Sequence, residues 1–433
     1  MFKSFSCFWL KNPVFSAKLE LSCKKQKKEG ISGGVMAYGY AKRMSRLGTE
    51  NAFVVLAQVK KLMAQGRDII SFGLGEPDFD TPVNIKEAAI KALKAGQTKY
   101  GPSAGILPLR EIIAKEAGKI RGIEIDPDEI VVTPGAKPII FDAVLALVDE
   151  GDEVIYPNPG YPIYESVANF VGAKSVALPL WESKGFSFDI ADLKKLVNKN
   201  TKVIFINSPQ NPTGGVISYD DLKAIAELAI KYDCWVISDE VYGKIIYGEK
   251  FHSIVSIPGM KERTIVVDGF SKTYAMTGWR LGYGIMPKEL AAYIAKIETN
   301  ADSCTNTFVQ FGGIEALVGP QDASEKMVAE FEKRSKLIVE LLNDIKGVSC
   351  IQPKGAFYVF PNVTKACANL GFKDARELQE YLLDKADVAV LARTFFGPKN
   401  EGEKDEYIRL SYVTSEEKIR EGLKRMKKAI EKK

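Results

Sequence analysis

A chain of 433 residues with 46% apolar and 27% charged side chains reads as a soluble globular protein, and no apolar run approaches the ~18 residues of a membrane span. The net charge of +5 does not mark a nucleic-acid surface: residues 1–36 carry seven lysines against Glu20 and Glu29, and the remaining 397 residues balance at 53 basic and 53 acidic groups. Six scattered cysteines without a C-x-x-C pair argue for free thiols in a reducing compartment, hence the cytoplasm, and a single histidine, His252 in a polar loop, excludes a multi-histidine metal site.

Residues 1–36 stand apart from the rest. The apolar stretch 5–10 is too brief for a secretory signal, 24–29 is a charge run, and 30–34 is a glycine-rich joint. The segment is expected to be a disordered leader, or sequence upstream of a start at Met36 or Met44. From 85 to about 286, short β-rich runs alternate with helical periods. Strands are expected at 130–133, 153–156, 175–178, 202–206, 235–238, 264–267 and 281–285, with helices between them such as 137–148, 219–232 and 288–300. That pattern predicts an α/β fold whose large domain, 84–320, holds a mostly parallel seven-stranded sheet flanked by helices. After Gln321 the pattern changes to a charged helix 323–343, a segment 356–360, a helix 375–385, strands at 388–391 and 407–410, and a last helix opened by the capping box Thr414-Ser-Glu-Glu417. Residues 321–433, joined by 37–83, are expected to form a smaller α+β domain.

Ligands of open α/β sheets collect at the carboxyl ends of the strands, so the residues just after each strand are the candidates for chemistry. Pro134-Gly-Ala-Lys137 comes after the first strand and runs into a helix, whose free N–H groups and positive end suit a phosphate, although many such loops bind nothing. NSPQNPTG at 207–214 is a rigid turn with two prolines and a glycine. Asp239 and Tyr242, three apart after the next strand, share a face if the chain turns helically. The segment 269–280, GFSKTYAMTGWR, surrounds Lys272 with Phe270, Tyr274, Met276 and Trp279. Apolar surroundings disfavour an ammonium, so the Lys272 pKa is expected to fall and its amine to become a nucleophile. Arg280 offers a cation for the same anion site.

These segments, in this order, resemble the class I and II aminotransferases, enzymes of fold type I that use pyridoxal phosphate (PLP). GLGEPDFDTP at 73–82, KYGP at 99–102, PKGAFY at 353–358 and YIRLSY at 407–412 are similar to further motifs of that family, and the likeness runs from about residue 37 to the C-terminus. The resemblance implies a ping-pong transfer of an amino group between an L-amino acid and 2-oxoglutarate. Lys272 would hold PLP covalently and, once displaced, would carry the proton on substrate Cα. Asp239 would pair with the ring nitrogen, Asn211 and Tyr242 would hydrogen-bond the ring 3′-oxygen, and Tyr161, in Asn158-Pro-Gly-Tyr161, would stack on the ring. Gly135, Ala136 and Lys137 would take the phosphate with Ser271 and Arg280. Tyr100 would reach the phosphate of a neighbouring subunit, which implies a homodimer with shared active sites. Arg409 would grip the substrate α-carboxylate as a planar fork, a geometry lysine cannot reproduce, with Asn211 beside it and Gly75 letting the backbone approach. Lys137 stands where prokaryotic-type aspartate aminotransferases use a lysine for the distal carboxylate, which favours aspartate. Pro138, just after it, departs from that pattern.

Aromatic amino acids, alanine or kynurenine remain alternative substrates. So does a C–S lyase, or a cyclase acting on a sulfonium amino acid, which would keep Lys272, Asp239 and Arg280 but eliminate rather than transfer. An aminotransferase-like effector half of a transcription regulator would need a winged-helix domain ahead of it, and residues 1–36 do not read as one.

Overall fold

The computed structural model describes residues 39–432, so the expected leader lies outside the described residues. The described part before residue 45 is short and includes the start of a 3-10 turn, Lys42–Ser45; residues 45–433 form a separate compact unit that contains everything below.

Twelve strands are present among the described residues: β1 Ile70–Ser71, β2 Ile130–Thr133, β3 Glu153–Asn158, β4 Lys174–Pro179, β5 Thr201–Asn207, β6 Trp235–Asp239, β7 Thr264–Gly269, β8 Gly282–Ile285, β9 Tyr358–Val359, β10 Val388–Ala389, β11 Leu391–Ala392 and β12 Ile408–Ser411. All seven strands expected between 130 and 285 form one sheet, in the order β2-β8-β7-β6-β5-β3-β4. Only β8 runs against its neighbours; it is antiparallel to both β2 and β7, while the remaining pairs are parallel. Two antiparallel steps cancel, so β2 points the same way as β7.

The strands are almost continuously apolar because helices cover both faces of the sheet. Side chains alternate across it. Val131, Phe205 and Val267 enter a core with the helices Lys137–Leu147, Ile163–Val171 and Lys288–Ala301. Their chain neighbours Val132 and Val266 face the opposite side, packed with Leu107–Arg121 and Thr307–Val318, and Ile204 packs there with Tyr219–Tyr232.

Parallel strands deliver their succeeding residues to a single edge. The loops after β2, β3, β5, β6 and β7 therefore lie together, and Arg280, just ahead of the reversed β8, reaches the same edge. Two of these loops are tied from below. Arg121 is buried and bridges Glu240, the residue after Asp239, at 2.8 Å and Asp268, at the end of β7, at 3.0 Å. Ser238 and Ser253 donate to the other oxygen of Glu240, so this buried charge is paired and hydrogen-bonded rather than stranded.

The C-terminal residues build a second core, which includes Phe331 and Leu342 of the helix Asp322–Asn343, Leu378 and Leu382 of Ala375–Ala386, and Leu423 of Glu416–Glu431. Beside it lie a three-stranded antiparallel sheet, β11-β12-β9, and the parallel pair β1-β10, through which Ile70 and Ser71 register with Val388 and Ala389.

Three local expectations are corrected. The single strand at 388–391 is two, because β10 pairs with β1 while β11 turns to pair with β12. Leu281 precedes β8 instead of opening it. The last helix is capped by Ser415, whose Oγ accepts the Lys418 N–H at 3.3 Å, one residue beyond the expected Thr414 cap.

Candidate active site

A cleft of about 490 Å³ opens at the carboxyl edge of the seven-stranded sheet. Ala136, Lys137, Tyr161, Asn211, Asp239, Tyr242, Ser271, Lys272 and Arg280 line it from the loops of that edge, and Gly75 and Arg409 close it from the other side. Of the site residues expected from sequence, only Gly135 and Tyr100 are absent from this wall. Gly135 lies directly behind it: its φ is +91° and a side chain there would collide with the Arg280 guanidinium. Tyr100 is 88% exposed and does not line the cleft.

Lys272 is half-buried, and its Nζ donates to the Gly75 carbonyl at 2.7 Å. Burial, with the Arg409 cation nearby, lowers its pKa to about 8. The expected shift is present, but its expected cause is not. Phe270, Tyr274 and Met276 pack into the core beneath the sheet. The amine instead sits 5.6 Å from the Phe357 ring centre and 5.9 Å from that of Tyr242. In a turn, neighbours in sequence do not share a direction, so the flanking aromatics serve the core.

Asp239 ends β6 and is 3% exposed. Desolvation raises its pKa to about 6, although the Tyr164 hydroxyl donates to it at 2.6 Å and opposes the shift. Asn207 donates to the Asp239 carbonyl at 3.0 Å and accepts the Asn211 N–H at 2.9 Å, so the loops after β5 and β6 hold each other. Asn211 in turn accepts from Arg409 Nη1 at 3.0 Å.

Arg409 lies on β12 and is 4% exposed. Its Nη2 donates to the Gly73 carbonyl, and its guanidinium carbon stands 4.5 Å over Tyr358 and 4.8 Å over Phe396. The buried Nε finds no hydrogen-bond partner among the described residues. A donor left unpaired inside protein is costly.

The phosphate-type end is assembled from Gly135, Ala136 and the start of Lys137–Leu147, whose first N–H groups have no intrahelical acceptor. Arg280, held in a left-handed backbone conformation, donates from Nη1 to the Thr277 carbonyl at 2.9 Å and from Nη2 to the Pro134 carbonyl at 3.2 Å. Gly282 keeps this loop close, since a Cβ there would meet the Ala136 nitrogen.

Among the wall residues that were not singled out from sequence are Glu50, Tyr164, Tyr358 and Thr277. Tyr164 lies three residues after Tyr161 and could have been read from helical spacing. Tyr358 lies in the PKGAFY motif; its hydroxyl is 2.9 Å from that of Tyr242, and Gly75 is glycine because a Cβ there would strike that hydroxyl. Glu50 pairs with Lys137 and accepts the Tyr161 hydroxyl at 2.7 Å, and nothing in the local sequence marks it. His252 packs at 5.0 Å from Tyr219 and does not line the cleft, and the described cysteines 234, 304, 350 and 367 are free thiols.

The family model for aminotransferase class I and II matches residues 67–426. A probable aspartate/prephenate aminotransferase of Aquifex aeolicus is 44% identical over 92% of this chain and 100% of its own length. Aromatic-amino-acid aminotransferase 2 of Thermococcus litoralis is 38% identical over 87% of this chain and 96% of that protein. Among solved structures, the aspartate aminotransferase of Rhizobium meliloti superposes with a TM-score of 0.85 at 34% identity, covering 91% of this chain and 99% of that one.

Proposed function

The chain belongs to the class I and II aminotransferase family and is a transaminase; from that premise we propose that it moves an amino group between aspartate and 2-oxoglutarate, with PLP held on Lys272. One observation carries the assignment: a lysine amine of lowered pKa, a buried carboxylate and a buried guanidinium with an unpaired donor converge on one cleft. The residues present fit the cofactor. Gly135, Ala136, Lys137, Ser271 and Arg280 offer N–H, hydroxyl and cationic groups for its phosphate, and Asp239 offers the pyridine nitrogen a desolvated carboxylate.

When bound, PLP supplies an electron sink for the carbanion formed at substrate Cα. The chain's own groups do the rest. Arg409 binds the α-carboxylate, and Asn211 and the Gly73 carbonyl hold its guanidinium in place. Lys272, its pKa lowered to about 8 by burial, serves as the base that takes and returns the Cα proton. With the cofactor bound, Asp239 would keep the ring nitrogen protonated, Asn211 and Tyr242 would hydrogen-bond the 3′-oxygen, Tyr161 would cover the ring and Gly75 would let the wall approach.

Aspartate is favoured because Lys137 lines the cleft, although Glu50 shares its charge, and because relatives named aspartate aminotransferase align along nearly the whole chain. The relative named for aromatic amino acids supports the second reading, an aromatic substrate. Tyr100 is exposed, as are the apolar residues Val83, Ile90, Leu93 and Leu107 of the neighbouring stretches of chain, which supports a homodimer that shares its active sites. No helix among the described residues is long and apolar enough to cross a membrane, and the free thiols suit the cytoplasm.

A half-reaction screen tests the assignment: the cofactor band is tracked against a panel of amino acids, then 2-oxoglutarate is added. Aspartate is expected to shift the band fastest and to yield glutamate. Release of ammonia or thiol without glutamate would identify a lyase instead, and a faster response to phenylalanine than to aspartate would favour the aromatic reading.

A further inference from the structure

Glu50 immediately precedes the helix Asn51–Ala64 but makes no side-chain cap hydrogen bond to it. Its carboxylate is committed elsewhere, ion-paired with Lys137 Nζ and accepting the Tyr161 hydroxyl at 2.7 Å. The position is enforced from outside the helix. Gly48 N–H donates to Ser166 Oγ at 2.9 Å, and Arg46 donates to the Phe170 carbonyl at 3.2 Å, which ties this stretch to Ile163–Val171. The Glu50 side chain is 17% exposed and that of Lys137 is 40% exposed, so the anion is the more sheltered partner.

Lys137 is the cation to which a distal carboxylate of a substrate would bind. With Glu50 in place its charge is already matched, and an entering carboxylate meets a fixed like charge at contact range. An uncharged side chain leaves the Lys137–Glu50 pair intact and suffers no such opposition. We propose that Glu50 is a selectivity residue: a built-in carboxylate that occupies Lys137, lowers the preference for dicarboxylic amino acids and lets the same cleft take uncharged ones. This rests on the reading that Lys137 faces the substrate side chain. Tyr161, which donates to the Glu50 carboxylate, is placed to hold either that carboxylate or the substrate's.

The test uses the full-length holoenzyme and the ratio of kcat/KM for aspartate to that for alanine, which cancels differences in active-site concentration. Glu50→Gln is expected to raise the ratio about tenfold, the worth of one freed charged hydrogen bond. The Kd for succinate, an unreactive dicarboxylate, measured by calorimetry, is expected to fall by a similar factor. In the Glu50→Gln/Lys137→Ala double variant the gain is expected to vanish, because no ammonium remains to be freed. An unchanged or lower ratio in Glu50→Gln, or a gain that survives in the double variant, overturns the proposal. Lys137→Ala separates the two levels. A selective loss on aspartate there, without a gain in Glu50→Gln, removes the role of Glu50 alone, whereas equal losses on aspartate and alanine remove the reading of Lys137 and this one with it.

Discussion

The two ends of the cleft are built differently. The end formed by Gly135, Asp239, Lys272 and Arg280 stands on strand ends of one sheet, tied by Arg121 beneath Asp268 and Glu240. The other end is gathered from separate places: Glu50 ahead of a helix, Lys137 at a helix start, Tyr358 on β9 and Arg409 on β12. Strand ends are rigid and their partners are fixed by register, which suits groups that must meet an invariant cofactor. A wall drawn from several elements can be altered one residue at a time, which suits the part that chooses among substrates.

If that division is right, variants at the first end should remove the reaction for every substrate, and variants at the second should redistribute it. Lys272→Ala should cost about a thousandfold or more in kcat with every amino acid and abolish the near-visible cofactor absorption; a variant that keeps both would break the assignment. Arg409→Lys belongs to the second end by position but contacts what all substrates share, so KM should rise about tenfold for aspartate, alanine and phenylalanine alike, with kcat less affected. A substrate-selective rise would move Arg409 into the side-chain subsite.

The lowered pKa of Lys272 sharpens the contrast through pH. The amine is neutral above its pKa of about 8, so the rate at which the cofactor-free chain captures added PLP should climb about tenfold from pH 7 to pH 9 and then level off. A rate still climbing steeply above pH 9.5 would mean an ordinary lysine. Lys137→Ala should lower kcat/KM several-fold for aspartate and less for alanine, since one partly exposed charge contact is lost; steady-state kinetics on both substrates checks it. The smallest effect is expected of Tyr164→Phe. Losing its hydroxyl removes a hydrogen bond to ionised Asp239, so the acid limb of cofactor affinity, set near pH 6 by Asp239, should shift upward with about a two- to threefold weaker hold at neutral pH. An unshifted limb would show that Tyr164 only fills space.

Legibility in the sequence divides along the same line. The seven strands stood out as short runs, most of them apolar and rich in β-branched residues, bounded by turn residues. Asp239 and Lys272 are legible from their places at or just beyond the strand ends, whereas Asn211 came through the family resemblance, its segment reading by itself only as a turn. Arg409 and Gly75 came only from motif resemblance, since neither stands after a strand of the main sheet. The apolar neighbours of Lys272 led to the right pKa direction through the wrong residues, because Phe270 and Tyr274 point into the core while Phe357 and Tyr242 approach the amine. The split of 388–391 into β10 and β11 was invisible locally: the chain changes partner within one residue, and partners are set by packing.

By itself, the order of strands and helices determined the sheet, the edge at which chemistry gathers and the lysine, carboxylate and arginine that stand there. The physical reason is that parallel strands with helical connections bring their succeeding loops to one side whatever the details of packing. The tertiary structure alone decided that Glu50 faces Lys137, that Tyr358 meets Tyr242, and that Arg409 keeps a buried donor without a partner among the described residues. Those contacts join segments far apart in the chain, and their geometry is settled by side-chain packing between elements, which local periodicity does not encode.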